Sequence, residues 1–222
     1  MDNQKYQAIS LKVRLLATLF SALFFLPSCV TTPKPYEGRQ ISGLWEAKAQ
    51  ARDLVSNKIT AISLDITAAT PAFLRLDVTG TLGINLATLV MKNSDVKYAL
   101  YRQKKFYQGS LSDRALLPLF KMNLNPKLIM NICMDLPIDD EGWSCKIGNN
   151  NLVDSCERAT DGLKILWSER NGEKKRVVVG DKNFELQIAF KSYTPMDQTK
   201  VESNKSPFQL EPPKDFTKYK IP

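Results

Sequence analysis

Histidine is absent from all 222 residues, so a serine or cysteine nucleophile lacks its usual base. That removes the commonest hydrolase constellation and makes an enzyme the weaker class. Cysteine is scarce, with four in the chain. Cys133, Cys145 and Cys156 show no short paired spacing, and such thiols without histidine do not make the common zinc ligand sets. No metal and no cofactor is implied. No apolar run reaches the ~20 residues that cross a bilayer as a lasting helix. The loop Thr79-Gly80-Thr81-Leu82-Gly83 is too short, and lacks the lysine, to cradle a phosphate.

Acidic groups are in the minority, 23 against 31 Lys and Arg, for a net charge of +8. Anionic headgroups explain that balance as readily as nucleic acid does. No cluster of Lys and Arg with interleaved aromatics occurs, so nucleic-acid binding is not expected. The densest acidic group, Asp135, Asp139, Asp140 and Glu141, sits beside Pro137 and reads as a solvated turn.

What is present begins with Lys12 and Arg14 ahead of an apolar run from Leu15 to Leu26, closed by Leu26-Pro27-Ser28-Cys29. The run falls within the roughly 7 to 15 residues of a signal-peptide core. Residues 1–28 are therefore expected to be removed. A thiol directly after a small residue resembles the bacterial lipoprotein box, which makes Cys29 the expected lipid-attachment site and holds the rest of the chain beside a membrane. Residues 29–40 contain prolines and no period, and read as a tether. The eleven residues after Cys29 span at most about 36 Å. Residues 41–222 suit one domain with a real core.

Export agrees with the cysteines, because disulfides persist outside the cytosol. Cys145 and Cys156 flank the turn-rich Asn149-Asn150-Asn151, and pairing across that turn sets them opposite each other on a hairpin. Cys133 is then a buried free thiol.

From Leu44 the pattern alternates strictly, with Trp45, Ala47, Ala49 and Ala51 on one side and charged or polar residues on the other. Residues 59–68 and 73–79 alternate likewise, and the turn at Gly80 to Gly83 leads into an apolar strand from Ile84 to Met91. Short connections between such strands indicate an antiparallel sheet with one solvated face. The alanine row fills little volume, so the sheet could curve over a helix or over a ligand. A further hairpin bends at Gln103-Lys104. The period then becomes helical at Ala115, Leu116, Leu119 and Phe120, and again after Asn125-Pro126, a cap followed by a first-turn proline. Strands resume at Trp143 to Ile147, Leu152 to Arg158, Leu163 to Trp167, Arg176 to Val179 and Phe184 to Phe190, with a hairpin turn at Asn171-Gly172. The proline-rich tail from Pro207 is confined to a sheet edge or a wrapping segment.

Taken together, the tether, the amphipathic strands, the loop Thr81-Leu82-Gly83, two helices ending at Asp135-Leu136-Pro137, further hairpins and the closing Phe208-Gln209-Leu210-Glu211-Pro212-Pro213 resemble the LolA/LolB superfamily of periplasmic lipoprotein carriers, over roughly residues 41 to 221. The lipoprotein box makes the anchored, LolB-like branch the better match. The resemblance implies an α+β fold, a strongly curved antiparallel half-barrel sheet closed by short helices over an apolar cavity. It implies a monomer on the periplasmic face of the outer membrane that takes acyl chains of lipoproteins from a periplasmic LolA-like carrier and inserts them into that membrane. Leu82 matches the family's protruding leucine, with Gly83 beside it in the insertion loop. Trp45, Leu64, Leu76, Leu89, Leu116, Ile129 and Trp167 match cavity-lining positions. Two departures stand out: the helix before the first strand is short or missing, and paired cysteines are not a general family feature. Two other readings stay open, a carrier of another lipid or glycolipid and an anchored interaction module whose helices fill the sheet.

Overall fold

The computed structural model describes residues 41–120, 122–197, 199, 201 and 207–221. The expected signal peptide, Cys29 and the tether lie outside the described residues.

Alternation decides where the chain is extended. Strand β1 (Ser42–Asp53) buries Trp45, Ala47 and Ala49 and exposes Glu46, Lys48 and Gln50. Strands β2 (Lys58–Ala69), β3 (Phe73–Thr79) and β4 (Asn85–Lys92) bury Leu64 and Ile66, Leu76 and Val78, and Leu89 and Met91 on the same face. The hairpin β5 (Asp95–Leu100) and β6 (Lys105–Ser110) follows, then helix α1 (Leu117–Phe120) and helix α2 (Pro126–Met134). The chain returns through β7 (Trp143–Ile147), β8 (Val153–Arg158), β9 (Lys164–Asn171), β10 (Lys174–Gly180) and β11 (Phe184–Pro195), and ends in β12 (Thr217–Lys220).

Among the described residues these strands form one sheet, in the order β12-β6-β5-β4-β3-β2-β1-β11-β10-β9-β8-β7. All neighbours are antiparallel except β12 with β6. The topology dictates where the helices go. β6 and β7 stand ten places apart in that order, about 48 Å along a flat sheet. The segment between them therefore crosses the sheet, and it does so on the inner, apolar face. Leu128 and Ile132 of α2 belong to the same buried cluster as Leu64, Leu76 and Ile188.

Helix α2 starts where the sequence says. Asn125 is extended, its Oδ1 accepts from Lys127 N–H at 2.9 Å, and Pro126 takes the first helical position. It stops at Asp135, which is left-handed at φ 53°. Helix α1 is shorter than the spacing from Ala115 predicts. Pro118 restricts the residue before it and fits only in a first turn, so the helical residues begin at Leu117. The β9–β10 turn falls one residue later than expected, at Gly172-Glu173, with Gly172 at φ 61°.

The outer face is not uniformly solvated. Ala69, Phe73 and Val90 point outward from β2, β3 and β4, and Phe208 and Val201 cover them. Phe208 packs on Phe73 with ring centroids 5.4 Å apart. Arg75, bound to Asp77 at 2.6 Å, donates to the carbonyl of Pro207 at 3.2 Å. The tail thus wraps the sheet before adding β12 to its edge, where Thr217 lies opposite Lys105. Cys145 and Cys156 face each other across β7 and β8 and are joined by a disulfide, S–S 1.98 Å, while Cys133 is free and buried.

Phe208→Ala should remove the contact that holds the tail, with a loss of about 3–5 kcal/mol in urea unfolding. Amide exchange should rise at Thr217 to Lys220 more than in β1 or β2. Unchanged exchange at β12 would mean that the edge strand holds without the wrap.

Candidate functional site

Two spaces lie on the helix-bearing side of the sheet. The outer one, about 310 Å³, opens at the end of the sheet where the β1–β2 and β5–β6 hairpins turn. Its walls include Ala51, Thr60 and Ile62 from the first hairpin, Leu100 and Arg102 from the second, and Leu119 of α1. The inner one is about 20 Å³ and wholly apolar, bounded by Leu64, Leu76, Ile129, Ile188 and Phe190 among others. Phe120 is the residue the two walls share, which places it between the mouth and the interior.

The volumes decide what the site can do as it stands. The mouth sits at the small end of ligand pockets, near 300 Å³. The interior holds about one water. The wide apolar cavity expected over the sheet is not open in this conformation, because Leu128, Ile132 and Phe120 are buried over the inner face in one cluster with Ala47 and Ala49. Of the residues matched to cavity positions, Leu64, Leu76 and Ile129 border the inner space. Trp45, Leu89, Leu116 and Trp167 are buried in the surrounding cluster and border neither space.

Leu82 stands apart from all of these. It is 95% exposed and sits in a 3-10 turn, Thr81–Gly83, at φ 69° and ψ 17°. A leucine in left-handed conformation is strained by roughly 1 kcal/mol or more. Gly83 follows at φ 71°, and Gly80 N–H donates to Ile84 O at 2.9 Å to close the loop. The loop backbone therefore presents the side chain to the outside, together with Ile84, also exposed.

The interior has one polar fixture that the sequence reading missed. Lys175 of β10 is buried, and its Nζ donates to the carbonyls of Ile132 at 2.8 Å and Cys133 at 2.6 Å. The same Nζ lies 3.0 Å from Asp135 Oδ2 and 4.9 Å from the centre of the Phe190 ring. An ammonium on the last carbonyls of a helix satisfies groups that have no partner within it and opposes the helix dipole. Burial lowers the Lys175 proton affinity, and Asp135 works in the other direction. Arg170 adds a second cation 3.6 Å from Asp135 Oδ1. Burial also pushes the neighbouring Cys133 thiol up to about 12, so it stays protonated and unreactive. Lys175 shares the parity of Val177 and Val179, which was the available signal that it points inward.

No protein-family model and no curated protein matches the chain. Solved structures do. One is a LolA superfamily protein from Nitrosomonas europaea, with a TM-score of 0.50 and 12% identity over 74% of this chain and 91% of that one. Another is a DUF1329 family protein from Desulfovibrio piger, with a TM-score of 0.50 and 9% identity over 78% and 93%. At such identities the likeness is one of fold, and the fold is LolA-like.

Replacing Lys175 by methionine leaves two helix-end carbonyls without their partner and Asp135 with only the longer contact to Arg170, at about 3–5 kcal/mol in urea unfolding. Adding Asp135→Asn removes the under-compensated buried charge and suits the left-handed position, so it should recover part of that loss. A single-variant loss below about 1 kcal/mol would contradict the role given to the pair.

Proposed function

We propose that this chain is a membrane-anchored acceptor that binds the acyl chains of lipoproteins delivered by a periplasmic LolA-like carrier and inserts them into the outer membrane. The observation that carries this reading is the pair of largely apolar spaces that meet at Phe120 of a four-residue helix, opening at the end of the sheet that also bears Leu82. The LolA-like fold supports it. Cys29 would hold the acyl anchor and residues 29–40 the tether, on the periplasmic face of the outer membrane.

Uptake requires the filled interior to yield. Helix α2 is pinned at its C-terminal end by Lys175. Helix α1 has four residues, too few to be stable without tertiary contacts. An entering chain would therefore displace α1, swing Phe120 out of the passage, and lie against Leu64, Leu76 and Ile129. Each methylene taken out of water contributes about 0.8 kcal/mol. That gain offsets the contacts α1 gives up and sets the direction of handover, with no nucleotide needed. Leu82, with Gly83 beside it, would then breach the membrane at the point of release.

Leu82→Glu should leave the protein folded and still able to bind a fluorescent dipalmitoyl peptide. Delivery of that peptide to liposomes should fall about tenfold or more, the scale set by burying a leucine side chain. Delivery at the normal rate would remove the insertion role.

A further inference from the structure

Five of the nine exposed large hydrophobic side chains among the described residues, Leu54, Val55, Ile59, Leu82 and Ile84, gather at one end of the sheet. Strand direction fixes this. β1 and β3 run the same way, since each is antiparallel to β2, so the β1–β2 tip and the Thr81–Gly83 turn share a rim. The hairpin also overhangs that rim. Thr79, the last residue of β3, lies opposite Ser63, and β2 with its partner β1 continues beyond that level to Lys58 and Asp53.

The hairpin tip can leave water without stranding its backbone. Leu54 N–H donates to Asn183 O at 2.7 Å, and the N–H groups of Val55 and Ser56 donate to Asp53 Oδ1 at 3.0 and 2.9 Å. The Arg52 guanidinium closes the turn on Asn57 Oδ1 at 3.1 and 2.7 Å. A donor left bare in an apolar layer would oppose entry. Here the donors are occupied and Val55, 81% exposed, projects past them. Exposed cations outnumber the carboxylates around the mouth, where Glu185 lies opposite Arg52 across β1 and β11. Arg52, Lys58, Arg102 and Lys182 are exposed, whereas Asp53 and Asp181 accept from the backbone of their own turns. Such a rim complements anionic headgroups.

We infer that the β1–β2 hairpin tip is a second membrane-contacting element, in which Leu54, Val55 and Ile59 enter the interfacial layer of an anionic bilayer while Arg52 and Lys58 engage its headgroups. With the Leu82 loop as the other contact, the mouth between them opens onto lipid, where Asp53, Lys58 and Thr60 form one wall. The inference rests on the membrane side of the proposed function and is independent of what the interior carries.

The test places an environment-sensitive fluorophore on the full chain in a Cys29→Ser background, at Val55→Cys, Leu82→Cys or Ile147→Cys. Cys133 is buried and Cys145 is bonded to Cys156, so the added thiol is the accessible one among the described residues. Ile147 is exposed at the opposite end of the sheet. With vesicles of phosphatidylcholine and phosphatidylglycerol, emission should shift to the blue at positions 55 and 82 and stay fixed at 147. Arg52→Ser with Lys58→Ser should weaken partitioning about thirtyfold, as expected for two headgroup contacts. A shift at 82 without one at 55 overturns the second contact and leaves the Leu82 role standing. No shift at either position overturns both. Equal shifts at all three positions mean unspecific coating and overturn the inference too. Shifts at 55 and 82 in a protein that binds no acyl probe would support the contact while removing the carrier reading.

Discussion

The packing of α2 across the inner face is the contact on which the rest of the domain depends. An open sheet of twelve strands presents one long apolar surface that its own turns cannot shelter. Leu128 and Ile132 meet it at the level of Leu64, Leu76 and Ile188, where the alanines of β1 leave room for a helix. Lys175 then fixes the helix along its axis. A buried ammonium is tolerated only when its donors are used, and here two helix-end carbonyls and the Asp135 carboxylate use them. With the end of α2 fixed on β10, the short α1 falls at the mouth and Phe120 stands between the two spaces. A helix pinned on the sheet beside one of only four residues is the arrangement on which the proposed uptake rests.

Under the proposed anchoring at Cys29, the same geometry would constrain how the domain meets a membrane. β1 begins at Ser42 and reaches the rim at Asp53, a length of roughly 35–40 Å. Residues 30–40 reach at most about 36 Å. For the rim and Cys29 to share one bilayer, the tether would run back along the sheet near its full length, so the domain would lie against the lipid with its mouth down.

Much of this architecture was legible because strands that bury one face alternate. β3 and β7 fall where the pattern put them, at Phe73 to Thr79 and Trp143 to Ile147, and Asn125-Pro126 marked the start of α2. The exposed leucine was legible too, since Gly80 and Gly83 bound the loop and set Leu82 at its tip. Other features were hidden for definite reasons. β12 is exposed along its whole length, so its residues carry no alternation to read. The prolines of the tail marked it as an edge or wrapping segment, but where it wraps was hidden, because it depends on Phe73 meeting Phe208, a contact between residues far apart in the chain. Lys175 lay just outside the expected strand from Arg176, although it shares the parity of Val177 and Val179. Alternation says which face is buried and is silent on what fills it. For that reason the interior could be expected as a cavity and be found packed with the side chains of α1 and α2.

A filled interior that opens for acyl chains differs from one that is simply a core, and the contents of the purified protein distinguish them. Organic extraction of the full chain isolated without detergent, followed by mass spectrometry, should recover acyl-bearing lipid in near-equimolar amount, and a solvatochromic fatty-acid probe should compete for the same space. Recovery of no lipid, together with no saturable binding of the probe, would contradict the carrier reading and leave α2 as the permanent filling of a tethered sheet.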